Sequence, residues 1–330
     1  MISEMTKAAA AKGANQPRPG ALPVEVLWVG LLYAVVCVEI LVTYWRLPAA
    51  ELYHVSGTGF SGGLSRVLVE LNYSTALVAI PVLMLLADRI TGRIPVGAAI
   101  AGIALAAVVF WPGVVDQSDL DAKWINALPA LGVAIAVALA GYTFVQAGLE
   151  RHPWRGKVDW ARIGLAFVVL ALGLPWLAAD LGISFSGVPV LGTMYQTSEL
   201  RSQPGVAGLH PAVHHGHHHG MDGVLLVLSA LLLSRAVSAL GRQWLRITTG
   251  ALLALMLAYG LAEVANDFWL EQIVKRGWTN WEIPDVTRPS LSVAWGLILL
   301  GAACVFGVAA WRERRPTAVP PLSAPDGSRS

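Results

Sequence analysis

The sequence predicts an all-α integral membrane protein: a single bundle of about eight transmembrane helices with both termini cytoplasmic. Three observations carry this. Hydrophobic residues make up 55% of the 330 and charged residues only 13%, at a mean hydropathy of +0.60, whereas soluble domains carry about 25% charged residues. Apolar stretches of about 20 residues, enough to cross roughly 30 Å of hydrocarbon, recur along the whole length. The charges are also segregated by loop. With the N-terminus inside, 16 of the 23 basic residues fall on the cytoplasmic side and 14 of the 21 acidic residues on the outer side, the sense of the positive-inside rule.

Taken in order, the spans are expected at 25–46, 65–87, 94–112, 126–148, 161–181, 221–240, 245–267 and 290–311. Residues 1–24 are polar and basic and lack an apolar core with a cleavage site, so they read as a disordered cytoplasmic tail. Residues 312–330 form a Pro/Ser-rich cytoplasmic tail unable to bury a core. Residues 25–311 make one eight-span domain, placed in the plasma (inner) membrane. An odd number of spans would scramble the charge segregation. No internal repeat suggests an inverted-repeat transporter.

Tryptophans fall near the expected boundaries: Trp45, Trp111, Trp124, Trp176, Trp269 and Trp295 outside, Trp154, Trp160, Trp244 and Trp311 inside. They read as interfacial belts. Cys37 and Cys304 lie inside spans near opposite ends of the chain and read as small buried residues. Inner loops are short. The longest outer loop, 182–220, ends in the run LHPAVHHGHHHG.

That run places His210, His214, His215, His217, His218 and His219 within ten residues, and imidazole is the commonest protein metal ligand. Ionisable side chains inside spans are costly and usually functional; here they gather in the outer halves. Glu39 and Glu70 lie about two turns below the outer boundary, Asp180 ends the fifth span and Asp222 opens the sixth. Glu263 and Asp267 share one face of the seventh at i,i+4. The inner halves are nearly uncharged, and Tyr142, Thr143 and Gln146 there read as helix-to-helix hydrogen bonding.

The expected site is therefore an outward-facing transition-metal centre. Its ligands come from His214, His215, His217, His218, His219, Asp222, Glu263, Asp267, Glu39 and Glu70, with His54 of the first outer loop joining them. Mixed imidazole and carboxylate ligation suits iron, copper or zinc, and the lack of thiolates argues against a closed structural zinc site. If the sixth helix extends outward past Gly220, His214/His218 and His215/His219 fall at i,i+4, a spacing that clamps one metal. The alternative is a solvated His-rich loop, with Glu39 bonded to Thr43, Glu70 bonded to Tyr73 or Ser74, and Asp222 capping its helix. His152 is expected to be an interfacial bystander, and the DQSDLD segment a solvated loop.

His210–His214 reads HxxxH, and His214/His217/His218 and His215/His218/His219 read HxxHH. These spacings resemble the histidine boxes of membrane di-iron desaturases and hydroxylases, which spread them over several cytoplasmic segments. Here one cluster lies on the predicted outer side, so the resemblance is one of spacing and does not extend to membership. The GFSG at Gly59–Gly62 matches a motif of intramembrane serine proteases but lacks a partner histidine in a later span, and reads as a flexible loop.

The expected activity is that of a metal-dependent oxidoreductase or hydrolase at the outer membrane face. Glu263 or Glu70 would serve as proton acceptor, with a lipid or small apolar substrate arriving from the bilayer. The competing functions are copper or zinc binding or transport, and a non-catalytic membrane subunit or pH sensor. Basic residues are dispersed along one face, so no nucleic-acid partner is expected.

Overall fold

A computed structural model describes residues 20–52, 54–116, 119–183, 188, 200–202, 208–211, 219–274, 277–284, 286–287 and 289–314. The chain is an all-α bundle: seven helices are long and apolar enough to cross a membrane, or eight if the bent pair Gly59–Glu70 and Ser74–Ala87 is counted as one span. The helices are α1 (Val24–Arg46), α2 (Gly59–Glu70), α3 (Ser74–Ala87), α4 (Arg93–Ala106), α5 (Ala127–Ala147), α6 (Lys157–Asp180), α7 (His219–Leu233), α8 (Gln243–Trp269) and α9 (Val293–Arg314). Two short strand pairs join them. Leu22–Pro23 runs parallel to Leu149–Glu150, and Leu200–Ser202 antiparallel to Leu209–Pro211.

Burial sorts the helices into centre and periphery. The span 220–239 is 83% buried, whereas 293–312 is 11% buried. Along α3, every residue from Ser74 to Leu83 is buried, and a helix apolar on all sides belongs at the centre of its fold. On α1 only one stripe, including Val29, Val36, Ile40 and Thr43, turns inward, while Leu27, Leu31, Val35 and Val38 face outward. The outward apolar residues suit lipid.

The second span departs from a straight helix. It begins at Gly59, six residues before the expected start, and α2 and α3 meet at 48° across Leu71–Tyr73. Side chains satisfy the carbonyls freed there: Asn72 Nδ2 donates to Leu68 O (3.3 Å) and Val69 O, and Thr75 Oγ1 to Glu70 O (3.0 Å). Asn126 Nδ2 in turn donates to Asn72 Oδ1 at 2.9 Å and to Val114 O at 3.0 Å. Broken helices at membrane depth are tolerated when freed groups find such partners. The Gly-rich start of α2, expected to be a flexible loop, is helical. A Cβ at Gly63 would stand 3.0 Å from Leu41 O, so the absent side chain lets α2 lie against α1.

The chain alternates between two ends of the bundle. One end collects the first turn of α1, the 88–93 and 148–157 connections and the 234–242 turn, and carries Arg89, Arg155, Arg162 and Arg235. The opposite end carries Glu39, Glu70, Asp180, Asp222, Glu263 and Asp267. Residues 20–23, at the border of the expected tail, are packed, with Ala21 and Leu22 buried and Leu22 N donating to Gly148 O at 2.9 Å.

Candidate functional site

The two central helices start side by side at the acidic end. Ser74 opens α3 and Asp222 lies in the first turn of α7, and Ser74 Oγ hydrogen-bonds both Glu70 Oε1 and Asp222 Oδ1, the latter at 3.0 Å. Glu70 and Asp222 also hydrogen-bond each other through their carboxyl groups. Glu70 is 1% exposed, Asp222 2% and Ser74 fully buried. Two helix N-termini thus converge on a carboxylate pair, and their positive dipole ends stabilise negative charge there.

Further acids flank this pair. Glu263 Oε1 accepts from Tyr259 Oη at 2.7 Å and from Tyr73 Oη at 3.3 Å, and the two tyrosine hydroxyls touch. Asp267, one turn further along α8, accepts the Gly220 N–H at 3.1 Å. On the other side, Thr43 Oγ1 donates to Glu39 Oε1 at 3.2 Å, and the Glu39 and Asp180 carboxyl groups hydrogen-bond. Arg46 donates to Ala179 O (3.1 Å) and Asp180 O (2.9 Å), closing the end of α6.

Buried among these acids is Arg66 of α2, near Tyr44 and lying in the field of Glu70 and Asp222. One guanidinium faces several buried carboxyl groups. Ser74 has a single proton and so cannot donate to both of its carboxylates at once. The residue types fit a hard or borderline metal ion, which oxygen and imidazole ligands suit.

The structure places Glu39, Glu70, Asp222, Glu263 and Asp267 at one end of the bundle. Among the described residues, however, no three His, Cys, Asp or Glu form a metal-holding group. His214, His215, His217 and His218 lie outside the described residues, as do the side chains of His210 and His219. The i,i+4 pairings of the run therefore also lie outside the described residues. The described backbone fixes both ends of the run: His210 pairs with Arg201 in the short antiparallel strands, and His219 opens α7 one residue before the Gly220–Asp267 bond.

His54 is exposed on a turn at φ 46°, with its carbonyl accepting from Leu120 N–H at 3.0 Å. The neighbouring DQSDLD segment is tied down. Lys123 Nζ reaches Asp116 and Asp119 at 3.2 Å each, and these carboxylates raise the pKa of its ammonium. Asp121 accepts from Ser56 N–H at 3.2 Å.

Several members of the cluster escaped sequence reasoning. Arg66 reads as a loop-edge charge until the helix is seen to start at Gly59. Ser74 does bond Glu70, as one alternative for that residue has it, whereas its second bond to Asp222 and the meeting of Tyr259 with Tyr73 enter only through the fold. Trp176, expected in the interfacial belt, is 7% exposed and packs on Gly220 with Ala179 and Met221.

The basic end holds the clearest correction. His152 is no bystander: its Nδ1 lies 2.9 Å from Glu25 Oε2, and both side chains are buried. Arg235 joins Glu25 (3.0 Å) to Asp159 (2.6 Å), and Arg162 reaches the other Asp159 oxygen at 2.6 Å. The basic end therefore carries a compact ionic knot. Between knot and acidic cluster the centre is packed with Leu83, Leu86, Leu226, Val227 and Leu233. Comparison with known protein families, curated proteins and solved structures finds no match to this chain.

Proposed function

We propose that the chain is a membrane-embedded, metal-dependent enzyme, an oxidoreductase or hydrolase, whose centre lies between the histidine run and the buried carboxylates at the outer membrane face. The observation that carries this reading is the anchoring of α7. The helix starts at His219, and within four residues it bonds two buried acidic positions on other helices, Gly220 N–H to Asp267 and Asp222 to the Ser74–Glu70 pair. That tether holds the C-terminal end of the histidine run beside Asp222, Glu70 and Glu263.

In this reading histidines of the 214–219 run, with Asp222 and Glu70, would hold iron, copper or zinc, and the metal would activate water or oxygen. Glu263, in hydrogen-bond contact with Tyr259 and Tyr73, is placed to take up a proton and pass it along the touching tyrosine hydroxyls. Arg66 offsets the negative charge of the pair. The apolar packing between the two ends speaks against a hydrated route for ions across the bundle.

Metal content by mass spectrometry on tag-free protein, purified in mild detergent without chelator, tests this. Near-stoichiometric metal is expected, lost in both His214→Ala/His218→Ala and Asp222→Asn. Metal retained by Asp222→Asn but lost with the histidines would reduce the run to a surface chelator. A metal-free protein after incubation with iron, copper or zinc would end the metalloenzyme reading.

A further inference from the structure

A cavity of about 660 Å³ lies between α1, α3 and α5, within the roughly 300–1,000 Å³ range of ligand pockets. Its lining is apolar from Leu22, Leu149 and Phe144 at the basic end up to Tyr33 and Thr75. Trp28 lines its outward rim and is 52% exposed, so the cavity opens sideways, where lipid would lie. Along α1, the rise from its first residues to Tyr33 is about 14 Å, close to half of the roughly 30 Å hydrocarbon thickness. The groove is thus about one leaflet deep.

Its two ends differ chemically. Tyr33 and Thr75 are the only hydroxyl-bearing residues of the lining, and both adjoin the acidic cluster. Thr75 Oγ1 donates to Glu70 O at 3.0 Å, while Tyr33, one turn before Cys37 on α1, lies in the field of Glu70. Two glycines widen the space, since a Cβ added at Gly30 or Gly141 would have nothing within 4 Å.

The geometry points to a substrate class: a membrane-resident molecule with one long alkyl or isoprenoid chain, lying in this groove with its polar end at Tyr33 and Thr75 beside Glu70. The inference rests on the proposed reaction centre and names what reaches it. Lipid tails are as apolar as the groove wall, so burial alone does not favour one orientation in a bilayer. The hydroxyls of Tyr33 and Thr75 supply the direction, as the hydroxyl groups among the described lining residues.

The full chain in phosphatidylcholine vesicles would be photo-crosslinked with hexadecanoic acids carrying a diazirine either beside the carboxyl group or at the chain terminus. The carboxyl-proximal probe is expected on peptides around Tyr33 and Thr75, and the terminal probe around Leu22–Val26 and Phe144–Leu149. Unlabelled hexadecanoic acid should compete with both. Gly30→Phe and Gly141→Phe should each bring labelling down to the level of the peripheral helix α9, with metal content unchanged. Tyr33→Phe should erase the difference between the two probes. A reversed pattern, labelling no stronger than on α9, or labelling undiminished by both glycine variants would overturn the inference. Metal content is read separately, so a failure here is distinct from a failure of the metal centre.

Discussion

His152 and Glu25 meet at 2.9 Å although 127 residues separate them, and neither side chain is more than 5% exposed. The contact ties the start of α1 to the loop before α6. Arg235, at the end of α7, completes the tie by bonding Glu25 and Asp159 together. Three helix ends are thereby held at the basic face by charges that satisfy one another, the condition under which buried ion pairs are tolerated.

Arg235→Met should therefore be severe. It leaves Glu25 and Asp159 short of a cation in a buried setting, a loss of about 3–5 kcal/mol. The measurement is the thermal midpoint in detergent. The triple variant Arg235→Met/Glu25→Gln/Asp159→Asn should recover most of the loss, since apolar or neutral replacements of a whole network are often tolerated. Lys123→Met, removing an exposed pair at the other end, should leave the midpoint unchanged. An Arg235→Met protein as stable as the parent would show the knot to be incidental.

Gly220 marks the place where the histidine run joins the bundle. A Cβ there would enter the Trp176 ring and stand 2.6 Å from Asp267 Oδ2. Gly220→Ala should cost about 1–3 kcal/mol by overpacking and should also lower metal occupancy, because the first turn of α7 must shift. Gly97→Ala, in α4 with nothing within 4 Å of the new Cβ, should instead raise stability by about 0.5–1 kcal/mol through helix propensity. Opposite signs for the two substitutions are the check, read as paired thermal midpoints.

The spans were legible because hydropathy is a property of each segment alone, and so was the shared face of Glu263 and Asp267, which needs only the helical period. What escaped depends on partners far away in the chain. Glu70–Thr75 interrupts the apolar run with polar residues, a local sign of a helix boundary, but the side-chain support of the break includes Asn126, 54 residues further along the chain. Arg235 carries the signature of an orienting loop charge, yet its partner Glu25 stands 210 residues away. Arg66 looked like a boundary residue only because the turn of helix before it was read as loop. The carboxylates could be named, but their sharing of Ser74 could not, since a serine in a span is also an ordinary helix-to-helix contact.

The break itself can be tested. Asn72 is fully buried, and its side chain serves α2 carbonyls while accepting from Asn126. Asn72→Ala and Asn126→Ala should each cost about 1–3 kcal/mol, the price of unsatisfied buried polar groups. The double variant should cost less than the sum, with a coupling of about 0.5–3 kcal/mol for residues in direct contact. Strict additivity in the thermal cycle would mean that the Asn72–Asn126 bond contributes nothing to holding the bend.

Ser74 offers the sharpest separation of structure from chemistry at the acidic end. Its hydroxyl bonds both Glu70 and Asp222, so removing it frees both carboxyl groups to turn. If these groups ligate a metal, Ser74 orients the ligands, and loss of such support lowers metal affinity about 10–100-fold. Ser74→Ala should then weaken binding by that factor in a chelator-competition titration. Thr249→Val supplies the comparison: Thr249 is another fully buried hydroxyl, on α8 away from the acids, with no hydrogen-bond partner among the described residues for its Oγ1. It should leave metal affinity unchanged. Equal metal affinity in Ser74→Ala and the parent would assign the Ser74 bridge to packing alone and move the ligand set away from the Glu70–Asp222 pair.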